Sequence, residues 1–511
     1  MLPEVTTPSP IPLSEEQIVA LQKELAWAKL KIQVLEEQLR LERIKKYGPG
    51  SEKLNDAQLQ LLDLEPGVSD AEVQAESQRE PLPPAPERQQ KKRKHPGRQE
   101  LSAKLERVER VIACTPEQCT CKVCGQAKAV IGYDVSEQLD VKPAQYFVLV
   151  TKREKRACKH CEEGGVVAAP VPERIIEKSL VSDRVVIDTL VAKYSDHLPL
   201  YRQSAILERE AGVEIGRATL GGWVMRVGEL LIPIVDVMRR ELLGGSYIQA
   251  DETPVDVQLH DGRGQNHQAY LWQYGQPGGG VVFDFCLGRG REGPKEFLGQ
   301  FEGLLQTDGY AAYDRVGGPQ LVHAGCWAHA RRKFFDAVKL NPNDAVATRI
   351  VKRIDELFGI DAVAREENLD HAARHVLRLE KAKPLVETIR GEVEAARDAC
   401  LPASALGKAA HYTLAQWKKL TRFLEHAELE LSNNLAENSM RPVALGRKNW
   451  IHVGSQKAGP KVAAILSIVE SCRRMKIPIR DYLAAILPAI ADVSIQRLAG
   501  LTPAAWAARQ Q

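Results

Sequence analysis

The sequence predicts a multidomain protein of mixed class, in which an α/β core with a helical insertion is preceded by a coiled coil, a zinc-binding domain and a helical domain. Three observations support this prediction. A heptad repeat lies near the N-terminus, two CxxC pairs follow the first hundred residues, and a later run of strand, strand, strand, helix and strand has aspartates at the ends of its first and fourth strands. The 511 residues are enough for several domains, each with its own core.

Hydropathy argues against a membrane-spanning or secreted protein, and the overall charge gives no general preference for anions. Lys and Arg number 70 against 67 Asp and Glu, so the net charge is only +3 and any preference for anions must come from local patches. No apolar run reaches the roughly 18–20 residues that a membrane helix needs. The start "MLPEVTTPSP" also lacks the basic and apolar regions of a signal peptide. We therefore expect a soluble, cytoplasmic protein.

The N-terminal region, residues 1–45, predicts a coiled coil. Apolar residues recur there at alternating steps of three and four, with Ile at two a-type and Leu at two d-type positions, which favours a parallel two-stranded coil. The same stripe could instead dock on the protein's own core. The seam consists of Ile18, Leu21, Leu25, Ala28, Ile32, Leu35 and Leu39.

Residues 46–100 are expected to be a polar linker, because they are rich in Pro and charge and cannot bury enough apolar surface to fold alone. The linker ends in "PLPPAPERQQKKRKHPGR", whose basic run would suit phosphates. Such runs are also common as solvated segments that contact nothing. The cations of this run are Lys91, Lys92, Arg93, Lys94 and Arg98.

Residues 101–170 contain the two CxxC pairs, Cys121 with Cys124 and Cys158 with Cys161. Four thiolates in two such pairs can form a closed tetrahedral zinc site, if a hairpin in the intervening stretch brings the pairs together. The alternative is two unrelated buried cysteine pairs. Other residues nearby could replace one of the ligands, namely Cys114, Cys119 and His160.

Residues 171–240 show the apolar spacing of helices. Within them, "YRQSAILERE-AGV-EIGRATLGGWVMRV" predicts two short helices joined by a Gly-bearing turn, which is the pattern of a helix-turn-helix. Arg217 and Thr219 would then lie early in the second helix, where DNA contacts are usually made. An ordinary helical hairpin fits the same pattern.

Residues 241–455 carry the acids of a candidate metal site. Asp251 lies where the apolar residues of the strand-like run "GGSYIQADETPVDVQ" stop, which predicts the end of that strand, and Asp308 comes at the end of a later strand in "GLLQTDGYAAYD". This order of elements predicts a ribonuclease-H-like fold, in which neighbouring strand ends bring two carboxylates together to hold divalent metal. The alternative for Asp308 is that it only begins a turn.

Glu437 supplies the third carboxylate. A helix begun by Ser432 or Asn433 would place Glu437 and Arg441 on one face, and Pro442 would limit how far that helix continues. The alternative is that Glu437 only pairs with Arg441. Three cations downstream, Arg441, Arg447 and Lys448, would meet the phosphates of a nucleic acid on which the metal acts.

Three further segments complete the prediction. The basic segment "CWAHARRKFF" could steady the scissile phosphate or be a solvated helix face. Residues 342–412 predict a helical insertion, and residues 456–511 predict a C-terminal helical element. The candidate phosphate ligands in the basic segment are His329, Arg331, Arg332 and Lys333.

Four segments in order, "YIQADETPVDV", "LQTDGYAAYD", "CWAHARRKFFDA" and "NNLAENSMRPVALGRKNW", resemble the signature segments of transposases of the insertion sequence 66 family. The earlier "YGPGSEKL", "CKVCG", "CKHC" and "KYSDHLPLYRQ" are similar to the family's N-terminal, zinc-binding and helical DNA-binding parts, so the resemblance covers nearly the whole chain. It implies an Asp-Asp-Glu transposase in which Asp251, Asp308 and Glu437 match the triad. It also implies a bacterial, nucleoid-associated enzyme.

The resemblance implies a metal-dependent reaction on double-stranded DNA, in which the ends of an insertion sequence are cut and joined to a target. Two Mg²⁺ or Mn²⁺ ions, about 3.5–4 Å apart, would be held with Asp251 bridging and with Asp308 and Glu437 each on one ion. In comparable transposases the helical insertion helps to clamp the DNA. A homodimer or higher oligomer on DNA, and small accessory proteins of the same element, are the partners implied.

Two residues depart from the family's pattern. Ser432 stands where the family has an acid, and Asn438 stands where it has an Arg directly after the Glu. One alternative is therefore a DNA-binding protein derived from a transposase with an impaired catalytic centre. Another is a metal-dependent nuclease that cuts without joining, since both reactions use the same carboxylates.

Overall fold

The computed structural model describes residues 15–47, 126–127, 145–157, 166–259, 265–450, 452–488 and 490–510. The four CxxC cysteines and the basic run 91–98 lie outside these ranges, so the zinc site and the role of the linker stay predictions. Two short antiparallel strands, β1 (Lys155–Ala157) and β2 (Val166–Ala168), flank the second cysteine pair in sequence.

The N-terminal region forms one helix, α1 (Glu15–Tyr47), which confirms that this segment is helical. Its predicted seam is turned outward: Leu25 and Ile32 are 56% and 55% exposed. A different face meets the rest of the chain, where Val34 and Glu37 are buried and Glu37 Oε2 accepts a hydrogen bond of 2.9 Å from Ala405 N. The seam residues whose side chains the structure describes, from Leu21 to Leu35, are therefore uncovered within one chain, and self-association through the seam stays a prediction.

The helical region contains α2 (Asp183–Tyr194), α3 (Leu200–Ala211) and α4 (Arg217–Leu243). Gly212 ends α3 in the left-handed conformation with φ 65°, as the Gly-bearing turn predicted. The second helix is not short, however, since α4 has 27 residues. It is longer because its apolar face continues along its whole length and is buried.

By length and composition, α4 is the one helix in the described part of the chain that could cross a membrane. A core helix of a soluble protein passes the same test, and Leu231 and Ile234 of α4 are fully buried in the hydrophobic core. At Gly228 a Cβ atom would lie 2.9 Å from Lys461, so α4 closely approaches the C-terminal helix that carries this lysine. The helix contributes to the core of the fold.

A six-stranded sheet forms the centre of the fold. Its elements in chain order are β3 (Tyr247–Val257), β4 (His267–Gly275), β5 (Val281–Cys286), α5 (Glu292–Leu298), β6 (Leu304–Gln306), β7 (Val322–Ala324) and β8 (His452–Val453). The strand order in the sheet is β5-β4-β3-β6-β7, and β8 pairs with the far end of β3. β3, β4 and β5 are antiparallel neighbours, whereas β6 and β8 run parallel to β3 and β7 runs parallel to β6. The predicted sequence of three strands, a helix and a fourth strand is confirmed.

The prediction that Asp251 ends its strand is wrong. β3 has 11 residues and Asp251 is the fifth of them. The strand continues because β4 pairs with every position from Gln249 to Val257, and β8 pairs with Asp256 and Val257. The apolar run stops at Asp251 because a polar site begins there, while the backbone ladder goes on.

The C-terminal helix α13 (Gly459–Arg474) covers the edge of the sheet. The hydroxyls of Ser467 and Ser471 accept hydrogen bonds of 2.8 and 2.9 Å from the backbone N–H groups of Phe283 and Val281 on β5. Two backbone N–H groups on the outer edge of β5 are thereby hydrogen-bonded, which blocks the pairing of another strand there. The predicted C-terminal helical element is confirmed, and it continues in α14 (Ile479–Ile486) and α15 (Pro503–Ala508).

The predicted insertion is helical, as expected, and its apolar residues belong to a second hydrophobic cluster, which also includes Tyr247, Leu304 and Ala324 of the sheet. Two of its helices pack on α6 (Trp327–Leu340), which follows β7. One continuous cluster joins the helical region, the sheet and the C-terminal helices, whereas the domain boundaries at 240 and 455 stay predictions. The helices of the insertion are α7 (Ala345–Glu366), α8 (His371–Leu377), α9 (Lys383–Ala399), α10 (Ala405–Ala415) and, just after it, α11 (Trp417–Leu420).

Candidate active site

The pairing of β3 with β6 aligns the first two acids. The parallel register sets Tyr247 opposite Leu304 and Gln249 opposite Gln306. Asp251 lies two residues beyond Gln249 and Asp308 two residues beyond Gln306, so the same register carried forward brings the two acids side by side. Neighbouring strands lie about 4.8 Å apart, which is within reach of a shared cation.

Two buried glutamines hold the segment that leads to the third acid. Gln249 Nε2 donates to the backbone oxygen of Ser432 at 3.1 Å, and Gln306 Nε2 donates to that of Glu430 at 2.7 Å. Both glutamines stand two residues before a candidate acid on the same strands. The segment that precedes Glu437 is therefore anchored to the two strands that carry Asp251 and Asp308.

Glu437 lies in the first turn of α12 (Asn434–Trp450). Its N–H donates to the backbone oxygen of Asn433, so the helix begins where the sequence predicted. Pro442 does not limit the helix, which continues for eight residues beyond it. A proline removes one intrahelical hydrogen bond, and here burial of Met440 and Val443 against the core keeps the helix intact.

Electrostatics show that the three acids share one environment. Burial raises the pKa of Asp251 well above its usual value, and the carboxylates of Glu437, Glu252 and Asp308 raise it further. Like charges that oppose ionisation in this way require a cation or bound protons for compensation. Asp251, Asp308 and Glu437 are thus brought together by the fold, together with Glu252, which the sequence had not singled out.

Glu252 has two partners of its own. Arg289 Nη2 lies 2.7 Å from its Oε1, and the Tyr313 hydroxyl donates to its Oε2 at 3.0 Å. Burial raises the pKa of Glu252, while the Arg289 hydrogen bond opposes that rise. The sequence offered two signals for this ion pair, the adjacent acids in "ADET" and the arginines in "GRGRE". Neither segment by itself shows that Arg289 pairs with Glu252, 37 residues away.

The loop that carries Asp308 is fixed by the helical insertion. Asp308 Oδ1 accepts a hydrogen bond from Tyr310 N at 2.8 Å, and its backbone oxygen accepts one from the Tyr412 hydroxyl at 2.6 Å. Gly309 has φ 91°, and a Cβ atom there would lie 3.0 Å from Gln416. Tyr412 belongs to α10 and Gln416 directly follows it, so the insertion contacts the backbone of the second acid.

Two cationic side chains of α6 approach Glu437. His329 Nε2 lies 3.6 Å from Glu437 Oε1, and Arg332 Nη2 lies 3.8 Å from Glu437 Oε2. Burial acts to lower the pKa of His329, but the Cys326 sulfur and the Glu437 carboxylate outweigh it and raise the pKa above its usual value. With Arg332, whose side chain is 44% exposed, His329 gives this side of the site two basic side chains.

Arg331 does not have the predicted role of a phosphate ligand. Its side chain is buried, and its Nε donates to Asp355 Oδ1 on α7 at 2.5 Å. The helical period turns Arg331 toward the insertion and Arg332 toward the site, since adjacent residues of a helix point about 100° apart. Arg331 joins α6 to the insertion.

The other residues that the sequence predicts to contact DNA differ in their exposure. Arg217 and Lys448 are exposed, at the start of α4 and near the end of α12. Arg447 is turned inward instead, where its Nη1 donates to Thr253 Oγ1 at 2.9 Å and to the backbone oxygen of Pro254 at 2.5 Å. Arg441 is half-buried on α12. The guanidinium of Arg447 thus ties α12 to β3.

The donor set fits a divalent cation in its chemistry. Carboxylate oxygens are the preferred ligands of Mg²⁺, and Glu437 Oε1 is buried without a hydrogen-bond partner. Among the residues that the structure describes, no three His, Cys, Asp or Glu side chains are close enough together to hold a metal ion. The three acids interact electrostatically at one place without forming a closed metal site in this structure.

The chain is similar to known proteins along nearly all of its length. Residues 178–461 match the family model described as transposase IS66 family. Residues 118–162, which include all four CxxC cysteines, match a zinc-finger binding domain of transposase IS66, and residues 34–110 match a model described as transposase C of IS166 homeodomain.

Similar full-length relatives occur in Sinorhizobium fredii. The uncharacterized protein y4qI is 33% identical over 469 residues, covering 87% of this chain and 84% of the relative. The uncharacterized protein y4hP is 31% identical over 440 residues, covering 81% of this chain and 78% of the relative.

Proposed function

This chain belongs to the IS66 family of transposases, and from that premise we propose that it binds the ends of an insertion sequence and cuts and joins DNA strands with divalent metal ions at Asp251, Asp308 and Glu437. One observation carries the proposal: the register of β3 with β6 sets Asp251 beside Asp308, and the buried Gln249 and Gln306 of the same strands anchor the segment that leads to Glu437. Burial and the neighbouring carboxylates raise the pKa of Asp251, which agrees with this arrangement. An acid cluster of this kind is unfavourable without a cation. Its three matching members come from two parallel strands and one helix.

The topology supports a ribonuclease-H-like core for this reaction. Three antiparallel strands are followed by a helix and two strands parallel to the first, and the first strand lies at the centre. In the proposed arrangement β3 and β6 present Asp251 and Asp308, while α12 brings Glu437 over them.

The three acids share one task in this proposal. Asp251, Asp308 and Glu437 would together hold the two ions through their carboxylate oxygens. Bound Mg²⁺ or Mn²⁺ would supply Lewis-acid stabilisation of the charge that develops at the phosphoryl oxygens. Arg332, which is half exposed beside Glu437, would orient the scissile phosphate.

The remaining regions would serve DNA binding and assembly. Arg217 at the exposed start of α4 and Lys448 near the end of α12 would contact double-stranded DNA of the element ends or target, and Arg441 would do so from the middle of α12. The insertion would clamp the DNA. Cys121, Cys124, Cys158 and Cys161 would bind one structural Zn²⁺, the α1 seam would join two or more copies, and accessory proteins of the element would assist.

The test uses labelled DNA carrying element ends, incubated with Mg²⁺ or Mn²⁺, and scores both nicked and joined products. Glu437→Gln keeps size and hydrogen bonding but removes the ligand charge, so DNA binding should persist while both products disappear. Asp251→Asn and Asp308→Asn should act alike, because the three acids work as a unit. Glu387→Gln, at an exposed position of α9, is the matched control.

Two results would overturn parts of the proposal. Strand joining by the Glu437→Gln protein at the parental rate would show that the acid is misassigned. Nicked products without any joined product, from the unaltered protein with target DNA present, would make it a nuclease.

A further inference from the structure

A largely buried ionic cluster connects the helical insertion to the segment that precedes Glu437. The Glu430 carboxylate accepts hydrogen bonds from Arg374 on α8 at 3.0 and 3.2 Å, and the guanidinium of Arg365 on α7 contacts the same carboxylate. Arg374 also donates to Asp361 on α7 at 2.7 Å. The Glu430 side chain is 16% exposed, and the proposed function assigns no role to it.

Arg378 holds the backbone of the same segment. It begins a π-helical turn, Arg378–Ala382, between α8 and α9, and its side chain is buried. Such turns are rare and occur often at functional sites. Its Nε donates to Asp361 at 2.9 Å, and its two Nη atoms donate to four backbone oxygens. These are the oxygens of Phe423 at 3.1 Å, His426 at 3.4 Å, Ala427 at 3.2 Å and Leu429 at 2.8 Å.

The segment is held just as closely between Glu430 and the start of α12. The backbone oxygens of Glu430 and Ser432 accept from the two buried glutamines of the sheet, and that of Leu431 accepts from Trp327 N at 2.8 Å. Glu437 follows seven residues after Glu430. Since each residue from 429 to 432 has a backbone hydrogen bond to another element, a shift of Glu430 is passed on to the helix that carries Glu437.

The charges of the cluster depend on one another. Burial acts to raise the pKa of Glu430, but Arg365 and Arg374 outweigh it and lower the pKa below its usual value. Removing one member of a buried ion pair leaves its partner without compensation, so the remaining groups rearrange. Loss of the Glu430 charge would therefore displace the segment that the arginines hold.

We propose that Glu430 is a positioning residue for Glu437, and that through it the helical insertion sets where this acid lies relative to Asp308. The inference rests on the proposed function for the role of Glu437 as a metal ligand. The insertion also holds Asp308, whose backbone oxygen accepts a hydrogen bond from Tyr412. Both acids that lie outside β3 are thus fixed by the insertion, which gives it a task in assembling the metal site besides contact with DNA.

The test compares Glu430→Gln with the matched control Glu392→Gln. Glu392 on α9 also lies between two arginines, with the Nε atoms of Arg349 and Arg353 at 3.4 and 3.7 Å, and its side chain is 18% exposed. It belongs to the insertion and not to the segment before Glu437. Removal of a group that orients a metal ligand costs about 10–100-fold. Because Glu430 acts through the backbone, we expect the Mg²⁺ concentration for half-maximal cleavage to rise about tenfold in Glu430→Gln and to stay unchanged in the control.

Hydrogen exchange gives a second measurement that needs neither metal nor DNA. The backbone amides of residues 433–437 should exchange faster in Glu430→Gln and at the parental rate in Glu392→Gln, because only the first substitution releases this segment. Arg365→Lys covers the case in which Glu430→Gln folds poorly. It keeps the charge and loses the planar fork, so it should shift both measurements in the same direction by a smaller amount.

Three results decide between positioning and a purely structural role. Parental Mg²⁺ dependence in folded Glu430→Gln, or an equal rise in Glu392→Gln, overturns the inference, because the cluster would then only stabilise the fold. Unchanged exchange at residues 433–437 overturns it as well. If the unaltered protein never cuts DNA while exchange still rises in Glu430→Gln alone, the proposed function fails and the anchoring of Glu437 by Glu430 stands.

Discussion

Replacing Arg447 by Ala tests whether this residue serves the fold or the DNA. The sequence suggested a phosphate contact, whereas the structure gives its Nη1 two acceptors on β3, Thr253 Oγ1 and the Pro254 backbone oxygen. These bonds fasten the helix that carries Glu437 to the strand that carries Asp251. We therefore expect the variant to lose stability first and activity as a consequence.

The size of the effect follows from the two bonds. A hydrogen bond from a charged donor contributes about 1.5–3 kcal/mol, and less where solvent reaches it. Arg447 is half-buried, and its loss leaves the Pro254 carbonyl without this partner. We expect the free energy of unfolding to fall by about 2–4 kcal/mol, with a lower urea midpoint and an unchanged slope.

The assay is urea unfolding of the full-length protein, followed by salt-dependent binding of duplex DNA. Lys448→Ala is the matched control, because Lys448 is the next residue of the same helix and is exposed. It should change stability by less than about 0.5 kcal/mol and reduce the salt slope by about 1. The reasoning is refuted if Arg447→Ala unfolds like the unaltered protein and instead lowers the salt slope, since the guanidinium would then be bound to DNA.

Four further outcomes are expected. Tyr412→Phe removes the hydrogen bond to the backbone of Asp308, so the Mg²⁺ concentration for half-maximal cleavage should rise with little change in DNA affinity. Tyr201→Phe, at an exposed position, is the control and should leave that Mg²⁺ concentration unchanged. Equal Mg²⁺ dependence of the two variants would refute a positioning role for Tyr412. Because the pKa of Asp251 is raised in the folded state, metal-free protein should lose stability as pH rises from the ordinary aspartate range through that raised pKa, and Mg²⁺ should remove this loss in thermal melts. Zinc chelation should unfold the CxxC domain and leave the catalytic core folded, and elemental analysis that finds no zinc in the purified protein would exclude the site. Changing Leu25 and Ile32 to Glu should give a smaller species by light scattering, because both are exposed on one chain and would be buried between two.

The sequence by itself determined the order of the elements and pointed to the three acids that we propose as metal ligands. Apolar periodicity is a local property that can be read from one segment of the chain. It therefore predicted helix α1, the helical insertion and the run of strands around Asp251 and Asp308. The turn at Gly212 and the start of α12 next to Asn433 were likewise readable from turn and capping residues.

Only the tertiary structure decided where the strands and helices end and which charges are paired. Asp251 lies mid-strand because β3 goes on pairing beyond it, with β4 and, at Asp256 and Val257, with β8, which comes almost 200 residues later in the chain. Arg331 and Arg447 look like their basic neighbours in sequence, yet each turns inward to an acceptor on another element. Long-range pairing leaves no local periodic signal, since the partner of a side chain depends on how distant segments pack.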